Sequence, residues 1–193
     1  MKYLFISAHV DDAELSCGGT ISKLVEEGNE VTIITLSQYY PKNLSNEWQE
    51  SMKVLNPAFR WLQDFTVRNF DKQRQGISEY LYLNQDYDCV FAPSPQDLHS
   101  DHSTVGKVCV NIYKNTNLIL YIANWNQREF RKNYFVKLKK GHIENKLKAL
   151  DCYRSQLGRY YFNHDYIFAD ALVNGVMCKT QYAEGFEAFN IIA

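Results

Sequence analysis

The sequence predicts an α/β protein: a mostly parallel sheet with helices on both faces and some antiparallel additions. Three observations carry this reading. The strand-like runs are short and almost continuously apolar, which fits strands buried on both faces rather than half-solvated ones. Amphipathic stretches separate them, so the first forty residues spell strand, helix, strand. Two of the runs end abruptly in clusters of His and Asp, at residues 9–14 and 99–102. In open α/β sheets the carboxyl ends of the strands are where ligands bind.

Residues 2–8 are short, apolar and rich in aromatic and β-branched side chains, and read as the first strand. Residues 13–27 carry a helical period, with Leu15, Ile21, Leu24 and Val25 on one side and Lys23, Glu26 and Glu27 on the other. Gly28 and Asn29 supply the stop. Residues 30–37 (EVTIITLS) form a second strand. Ser45 is placed as the N-cap of a helix that runs to residue 55 and ends at Asn56-Pro57. Residues 59–65 read as a third strand, 66–71 as the loop after it, and Asp71 as the cap of a helix over 72–85. A fourth strand over 87–92 stops at Pro93, Ser94 and Pro95. Residues 103–115 then read as a helix and 117–123 as a fifth strand. The last seventy residues are less regular. An edge strand or hairpin is expected over 129–140, helices over 142–156 and 163–174, and a final strand over 182–192.

The totals are those of an ordinary globular chain. At 193 residues, 46% apolar content and a net charge of −1, the sequence fits a single domain over 1–193 with a sizeable core. It does not fit a disordered, membrane-spanning or strongly nucleic-acid-binding protein. The fourteen Tyr and eleven Phe are read as half-buried or cleft-lining. The five cysteines, Cys17, Cys89, Cys109, Cys152 and Cys178, are odd in number and show no C-x-x-C spacing, which disfavours both a disulfide framework and a thiolate metal site. The N-terminal apolar run is too short for a signal-peptide core, and no run of about twenty apolar residues exists. A cytoplasmic location is therefore expected. Nothing in the sequence marks an oligomer interface.

The two charged clusters suit one metal. A catalytic zinc takes three protein ligands, usually His nitrogen and carboxylate oxygen, and keeps a further position open. His9 and Asp12 lie three apart in a post-strand loop, and His102 completes a set of three. Asp11, unable to share the metal with Asp12 from the same angle, is placed to take a proton from water as general base. Asp101 is placed to accept a hydrogen bond from an imidazole and fix its tautomer. His99 is placed to polarise a substrate carbonyl or to protonate a leaving amine. Either cluster alone reads as a solvated loop. Together they gather three of the five His at two strand ends. The other two, His142 and His164, are read as surface or core-satisfied.

Gly18 and Gly19 admit two readings, close helix packing or a backbone that lets a ligand approach. Neither a G-x-G-x-x-G pattern nor a Walker lysine accompanies them, so a dinucleotide or P-loop site is discounted. Arg68, on the loop after the third strand, is a candidate contact for a substrate hydroxyl, phosphate or carboxylate. Tyr39, Tyr40 and Trp125 stand at strand ends in the same way.

The stretch AHVDDAELSCGGT resembles the A-H-P-D-D-x-E-x-x-x-G-G-T signature of the PIG-L/LmbE-like N-deacetylases, and DLHSDHSTV resembles their H-x-D-H motif followed by a helix. KALDCYRSQ is similar to the family's K-x-x-A-L-x-x-Y-x-S-Q helix, and YAEGFEAF to its A-E-x-F terminal strand. The resemblance implies a Rossmann-like three-layer sheet and a zinc-dependent amidase acting on N-acyl amino sugars or their conjugates, with one Zn2+ per chain. It implies His9, Asp12 and His102 as ligands, Asp11 as general base, His99 as oxyanion stabiliser or acid, and Asp101 as the residue orienting an imidazole. Val10 and Ser100 depart from prolines of the family pattern, at positions that supply no ligand. The rival chemistry is another metal-dependent hydrolase, such as a magnesium phosphoesterase using Asp11, Asp12 and Glu14. His9 and His102 favour zinc over so hard a cation. A non-catalytic sugar- or nucleotide-binding protein is the third reading.

Overall fold

The computed structural model describes residues 1–38 and 43–192. Its elements are β1 (Lys2–His9), α1 (Asp12–Glu26), β2 (Glu30–Ser37), α2 (Asn43–Leu55), β3 (Phe59–Leu62), α3 (Arg74–Tyr82), β4 (Cys89–Pro93), α4 (Ser100–Ile112), β5 (Asn117–Tyr121), β6 (Tyr134–Leu138), α5 (Lys140–Leu150), α6 (His164–Met177) and β7 (Tyr182–Asn190). Tyr39 and Tyr40 lie outside the described residues.

The strands form one sheet in the order β3-β2-β1-β4-β5-β7-β6. The first five in that order are parallel, and β7 and β6 add antiparallel pairs at one edge. The expected mixed α/β sheet is therefore what forms. The order reverses between β1 and β4. The chain runs outward from β1 to β3 and then crosses back to lay β4 on the other side of β1. That reversal opens a crevice at the carboxyl ends of β1 and β4, because the loops leaving these strands turn in opposite directions.

Alternation along β1 divides the core into two layers. Leu4, Ile6 and Ala8 face a cluster with Ile77, Val105 and Tyr113, contributed by α3, α4 and the residue after α4. Phe5 faces the opposite cluster, with Ile21, Trp48, Ile143 and Ile167 of α1, α2, α5 and α6. Phe5 also stacks on Phe91 of β4 at 4.6 Å between centroids, a pairing worth about 1 kcal/mol beyond its buried area. Three of the five cysteines, Cys17, Cys89 and Cys109, are buried small hydrophobes, and all five are free thiols.

Several boundaries differ from the sequence expectation. α2 already includes Asn43, so Ser45 lies inside it rather than capping it. β3 stops at Leu62, and beyond it Asp64 makes only an isolated antiparallel bridge to Ser37. α3 is capped at Gln73 instead of Asp71, because turns occupy the residues after Phe70. α4 begins at Ser100, three residues earlier than expected, with His99 as its N-cap. Gly106 lets the helix pack closely. A Cβ there would lie 2.5–2.7 Å from backbone atoms of Pro93, Ser94 and Pro95, so only glycine lets α4 rest directly on the loop after β4.

The two glycines of α1 serve packing. A Cβ on Gly18 would meet the Lys146 stem at 2.8 Å, and one on Gly19 would meet Leu138 at 2.6 Å and Glu184 at 3.2 Å. The space they leave holds a buried ion pair, Lys146 Nζ to Glu184 Oε1 at 2.7 Å. Glu184 also accepts from the backbone N–H groups of Gly19 and Thr20 and from the Thr20 hydroxyl. This clamp ties α5 and β7 to α1. Among the described residues, no helix is long and apolar enough to cross a membrane.

Candidate metal centre and active site

The tips of β1 and β4 deliver the site. His9 is the last residue of β1, Val10 and Asp11 form the turn, and Asp12 opens α1. On the other side, the loop after Pro93 carries Asp97 and His99 into α4, whose first turn holds Asp101 and His102.

The side chains at positions 9, 12 and 102 converge. His9 Nδ1 lies 3.2 Å from His102 Nε2, His9 Nδ1 lies 3.5 Å from Asp12 Oδ2, and His102 Nε2 lies 3.3 Å from the same oxygen. Two donors at about 2.05 Å from a tetrahedral zinc ion stand about 3.3 Å apart. The triangle therefore has the edge lengths that such an ion requires. His9, His99 and His102 also offer one ring nitrogen each within 4.8 Å of one another, a looser set that shares two of the same members.

Both imidazoles of the triangle are oriented from behind. His9 Nε2 pairs with Asp101 Oδ2 at 2.9 Å, and His102 Nδ1 pairs with Asp97 Oδ2 at 3.0 Å. Donation to these carboxylates leaves the lone pairs of His9 Nδ1 and His102 Nε2 facing the centre, the arrangement a metal-binding imidazole uses. Asp101 is itself held by the backbone N–H of Arg68 at 2.7 Å, and Asp97 Oδ1 accepts from the backbone of His99 at 2.8 Å. Sequence reasoning placed Asp101 in such a role and missed Asp97. The trace of Asp97 in the sequence is its position five residues before His102, in the loop that leads into α4.

The electrostatics suit a cation. Burial opposes charge on His9, yet hydrogen bonds to Asp101 and Asp12 outweigh it and raise its pKa to about 9. Burial likewise opposes charge on His102, and attraction to Asp12 with hydrogen bonds to Asp12 and Asp97 raises it to about 10. For Asp12, the pull of His102 and His9 overcomes burial and holds the carboxyl well below its usual range. The site thus attracts positive charge, either as protons on the two rings or as a metal in their place.

Asp11 is the opposite case. Burial, then the neighbouring Asp12 and Glu14, push its carboxyl well above the ordinary carboxylate range. A carboxyl raised in this way is a stronger base than an ordinary carboxylate, the property a general base needs. Its backbone is left-handed, φ 80° and ψ −25°, and its side chain makes no capping bond to α1. Arg68 is also left-handed, at φ 58°. Two of the four non-glycine residues with positive φ among the described residues therefore line this cleft, the placement expected of strain held for function.

His99 sits half-buried at the rim. Its Nδ1 accepts from the Asp101 backbone N–H at 3.2 Å, so Nε2 carries the proton of the neutral ring. Burial, then the proximity of His102 and His9, lowers its pKa. It is a neutral hydrogen-bond donor rather than a cation.

A cleft of about 210 Å3 brings together His9, Asp11, Asp12, Arg68, His99 and His102, the residues singled out in the sequence. Asp101 lies behind it, against His9. Arg159, Trp125 and Tyr161 also line it, and Trp125 and Tyr161 stack at 4.0 Å to form one wall. Sequence reasoning had marked Trp125 but neither Arg159 nor Tyr161, which follow α5 by about ten residues and carry no motif of their own. His142 and His164 lie elsewhere. The first is buried at the start of α5 against Glu26, and the second is exposed and paired with Asp151.

Solved structures of known proteins share this architecture. The conserved protein TT1542 from Thermus thermophilus superposes with a TM-score of 0.82 at 24% identity, covering 99% of this chain and 95% of that one. The N,N'-diacetylchitobiose deacetylase from Pyrococcus horikoshii gives a TM-score of 0.73 at 23% identity, with 96% and 82% covered. GalB, the 4-carboxy-2-hydroxymuconate hydratase from Pseudomonas putida, gives 0.78 at 17% identity, with 100% and 98% covered. At these identities the likeness is one of fold, and the fold carries both hydrolytic and hydrating chemistry. No curated protein matches the sequence. The family model described as PIG-L: GlcNAc-PI de-N-acetylase matches residues 4–113, which is more than half of the chain and spans both charged strand tips. On that match the chain belongs to the PIG-L de-N-acetylase family.

Proposed function

We propose that residues 1–193 form a single-domain zinc-dependent N-deacetylase that hydrolyses the N-acyl group, most simply N-acetyl, of an amino sugar or sugar conjugate. The observation that carries this reading is the triangle of His9 Nδ1, Asp12 Oδ2 and His102 Nε2, with edges of 3.2–3.5 Å and Asp11 lining the same cleft. Two imidazoles and one carboxylate suit zinc better than magnesium, which prefers an all-oxygen shell. Family membership supplies the reaction class.

Zinc bound by these three residues would supply Lewis acidity, acidifying water to a pKa of about 7 and polarising the acyl carbonyl. The chain's own groups do the rest. Asp11, kept basic by burial and its neighbours, removes the proton from the water that attacks the amide carbon. The neutral His99 ring donates its Nε2 proton as a hydrogen bond to the developing oxyanion. Asp101 holds His9, and Asp97 holds His102. Asp11 returns its proton to the nitrogen as the C–N bond breaks, giving a carboxylate and a free amine. Arg68 and the Trp125–Tyr161 wall contact the sugar portion.

The test is release of free amine from N-acetylglucosamine and N,N'-diacetylchitobiose by the purified protein. Release that a chelator abolishes and added zinc restores is the expected result. Phosphate release from sugar phosphates under magnesium, without amine release, would replace this reading with the phosphoesterase.

A further inference from the structure

Asp11 does not hold its own position. Its backbone is left-handed and its side chain makes no capping bond, so what grips the main chain helps to set the direction of its carboxyl, beside the pull of His9 and Arg159. The Tyr153 hydroxyl oxygen accepts the Asp11 N–H at 3.1 Å. The same hydroxyl donates to Glu14 Oε1 at 2.5 Å, and the Ser51 hydroxyl donates to that oxygen at 2.9 Å. Glu14, Tyr153 and Ser51 are all buried, at 1%, 0% and 0% exposure. Glu14 stands on α1, Ser51 on α2, and Tyr153 just beyond α5, so three separate parts of the chain meet at Glu14 Oε1, directly behind the hydroxyl that holds the amide.

We propose that Tyr153, fixed by Glu14 and Ser51, is the positioning residue for Asp11: it anchors the N–H of residue 11 and so holds the left-handed turn that aims the Asp11 carboxyl into the cleft. The Asp11 N–H is part-buried at the cleft floor, and α1 offers no acceptor to a residue at its N-cap, so the Tyr153 oxygen supplies one. A buried carboxylate must find donors, and Glu14 takes two hydroxyls. With the Tyr153 oxygen removed, the residue 11 amide loses the protein acceptor that fixes it. The turn then relaxes toward the ordinary region of φ, which swings the side chain by tens of degrees. Displacement of a reacting group on that scale costs about 10- to 100-fold in turnover. Tyr153 and Glu14 touch neither substrate nor metal and act only through Asp11.

The inference rests on the reading of Asp11 as proton acceptor, and the experiment separates the two. In zinc-loaded full-length protein, Tyr153→Phe is expected to speed hydrogen exchange of the residue 11 amide by about tenfold or more relative to other amides of the β1–α1 segment. That readout needs no substrate, and a general loss of stability would move all amides together. With N,N'-diacetylchitobiose, kcat is expected to fall about 10- to 100-fold, with KM and zinc content within about twofold of wild type. Glu14→Gln keeps the accepting oxygen and is expected to retain most activity, whereas Glu14→Ala loses it as Tyr153→Phe does. In an Asp11→Ala background, Tyr153→Phe is expected to cost nothing further. Unchanged exchange at residue 11 in Tyr153→Phe, or an equal loss of kcat in the Asp11→Ala background, would overturn the proposal. Full turnover in Asp11→Ala alone would instead sink the reading of Asp11, and amide exchange would still decide what Tyr153 does.

Discussion

His9 Nδ1 and His102 Nε2 stand 3.2 Å apart, and each ring has its other nitrogen tied to a buried carboxylate. Without a metal both rings favour protonation, with pKa values raised to about 9 and about 10. Metal must displace those protons. Below pH 9 the zinc affinity is therefore expected to weaken as pH falls, by up to about a hundredfold per pH unit if both protons leave. Calorimetric titration in buffers of different ionisation enthalpy measures the protons released. A pH-independent affinity with no proton release would contradict the arrangement.

The Asp97 contact to His102 predicts a second effect. Asp97→Ala removes the acceptor that fixes the His102 tautomer, and is expected to weaken zinc binding by about 10- to 100-fold while the protein stays folded. Competition against a zinc-sensitive dye reads this directly. An affinity equal to wild type would show that His102 needs no support from behind.

Asp11 and His99 are assigned to the reaction and not to the metal. Asp11→Asn is expected to lower kcat by about 10²- to 10⁴-fold with zinc content unchanged. His99→Ala is expected to lower kcat by about 10²- to 10³-fold, as loss of an oxyanion donor does. It should also cost about 1 kcal/mol of stability, because His99 caps α4 through the Asp101 N–H. Activity assays paired with metal analysis test both, and loss of metal in the Asp11 variant would contradict its role.

The buried Lys146–Glu184 pair predicts a structural effect away from the chemistry. Lys146→Met leaves Glu184 charged and 3% exposed, and is expected to destabilise the fold by about 3–5 kcal/mol. Adding Glu184→Gln removes the stranded charge and is expected to recover part of that loss. Urea unfolding measures both, and a double variant no better than the single one would show that the donors from Gly19 and Thr20, rather than Lys146, satisfy Glu184.

Much of the fold was legible in the sequence, for identifiable reasons. The strands declare themselves because burial on both faces demands continuous apolar runs, as in residues 3–8 and 30–36. His9, Asp11 and Asp12 are legible because a charged cluster follows such a run without a break. The start of α4 was not legible. DLHSDH reads as polar loop, whereas in the fold the His99 ring caps the helix by accepting from the Asp101 N–H, which starts α4 at Ser100. Asp97 was missed because an Asp after Ser-Pro reads as turn chemistry. The partnership of Lys146 with Glu184, and of Tyr153 with Asp11, is set by tertiary packing across 38 and 142 residues, which no local period records.

Which three side chains hold the metal is decided by one measurement: zinc stoichiometry and affinity of wild type beside Asp12→Ala, His102→Ala and His99→Ala. Wild type and His99→Ala are expected to bind one zinc per chain with similar affinity. Asp12→Ala and His102→Ala are expected to weaken binding by more than about a hundredfold, beyond the loss from a supporting carboxylate. Wild-type binding in Asp12→Ala together with loss in His99→Ala would move the centre to His9, His99 and His102, and would contradict the roles assigned here to Asp12 and His99.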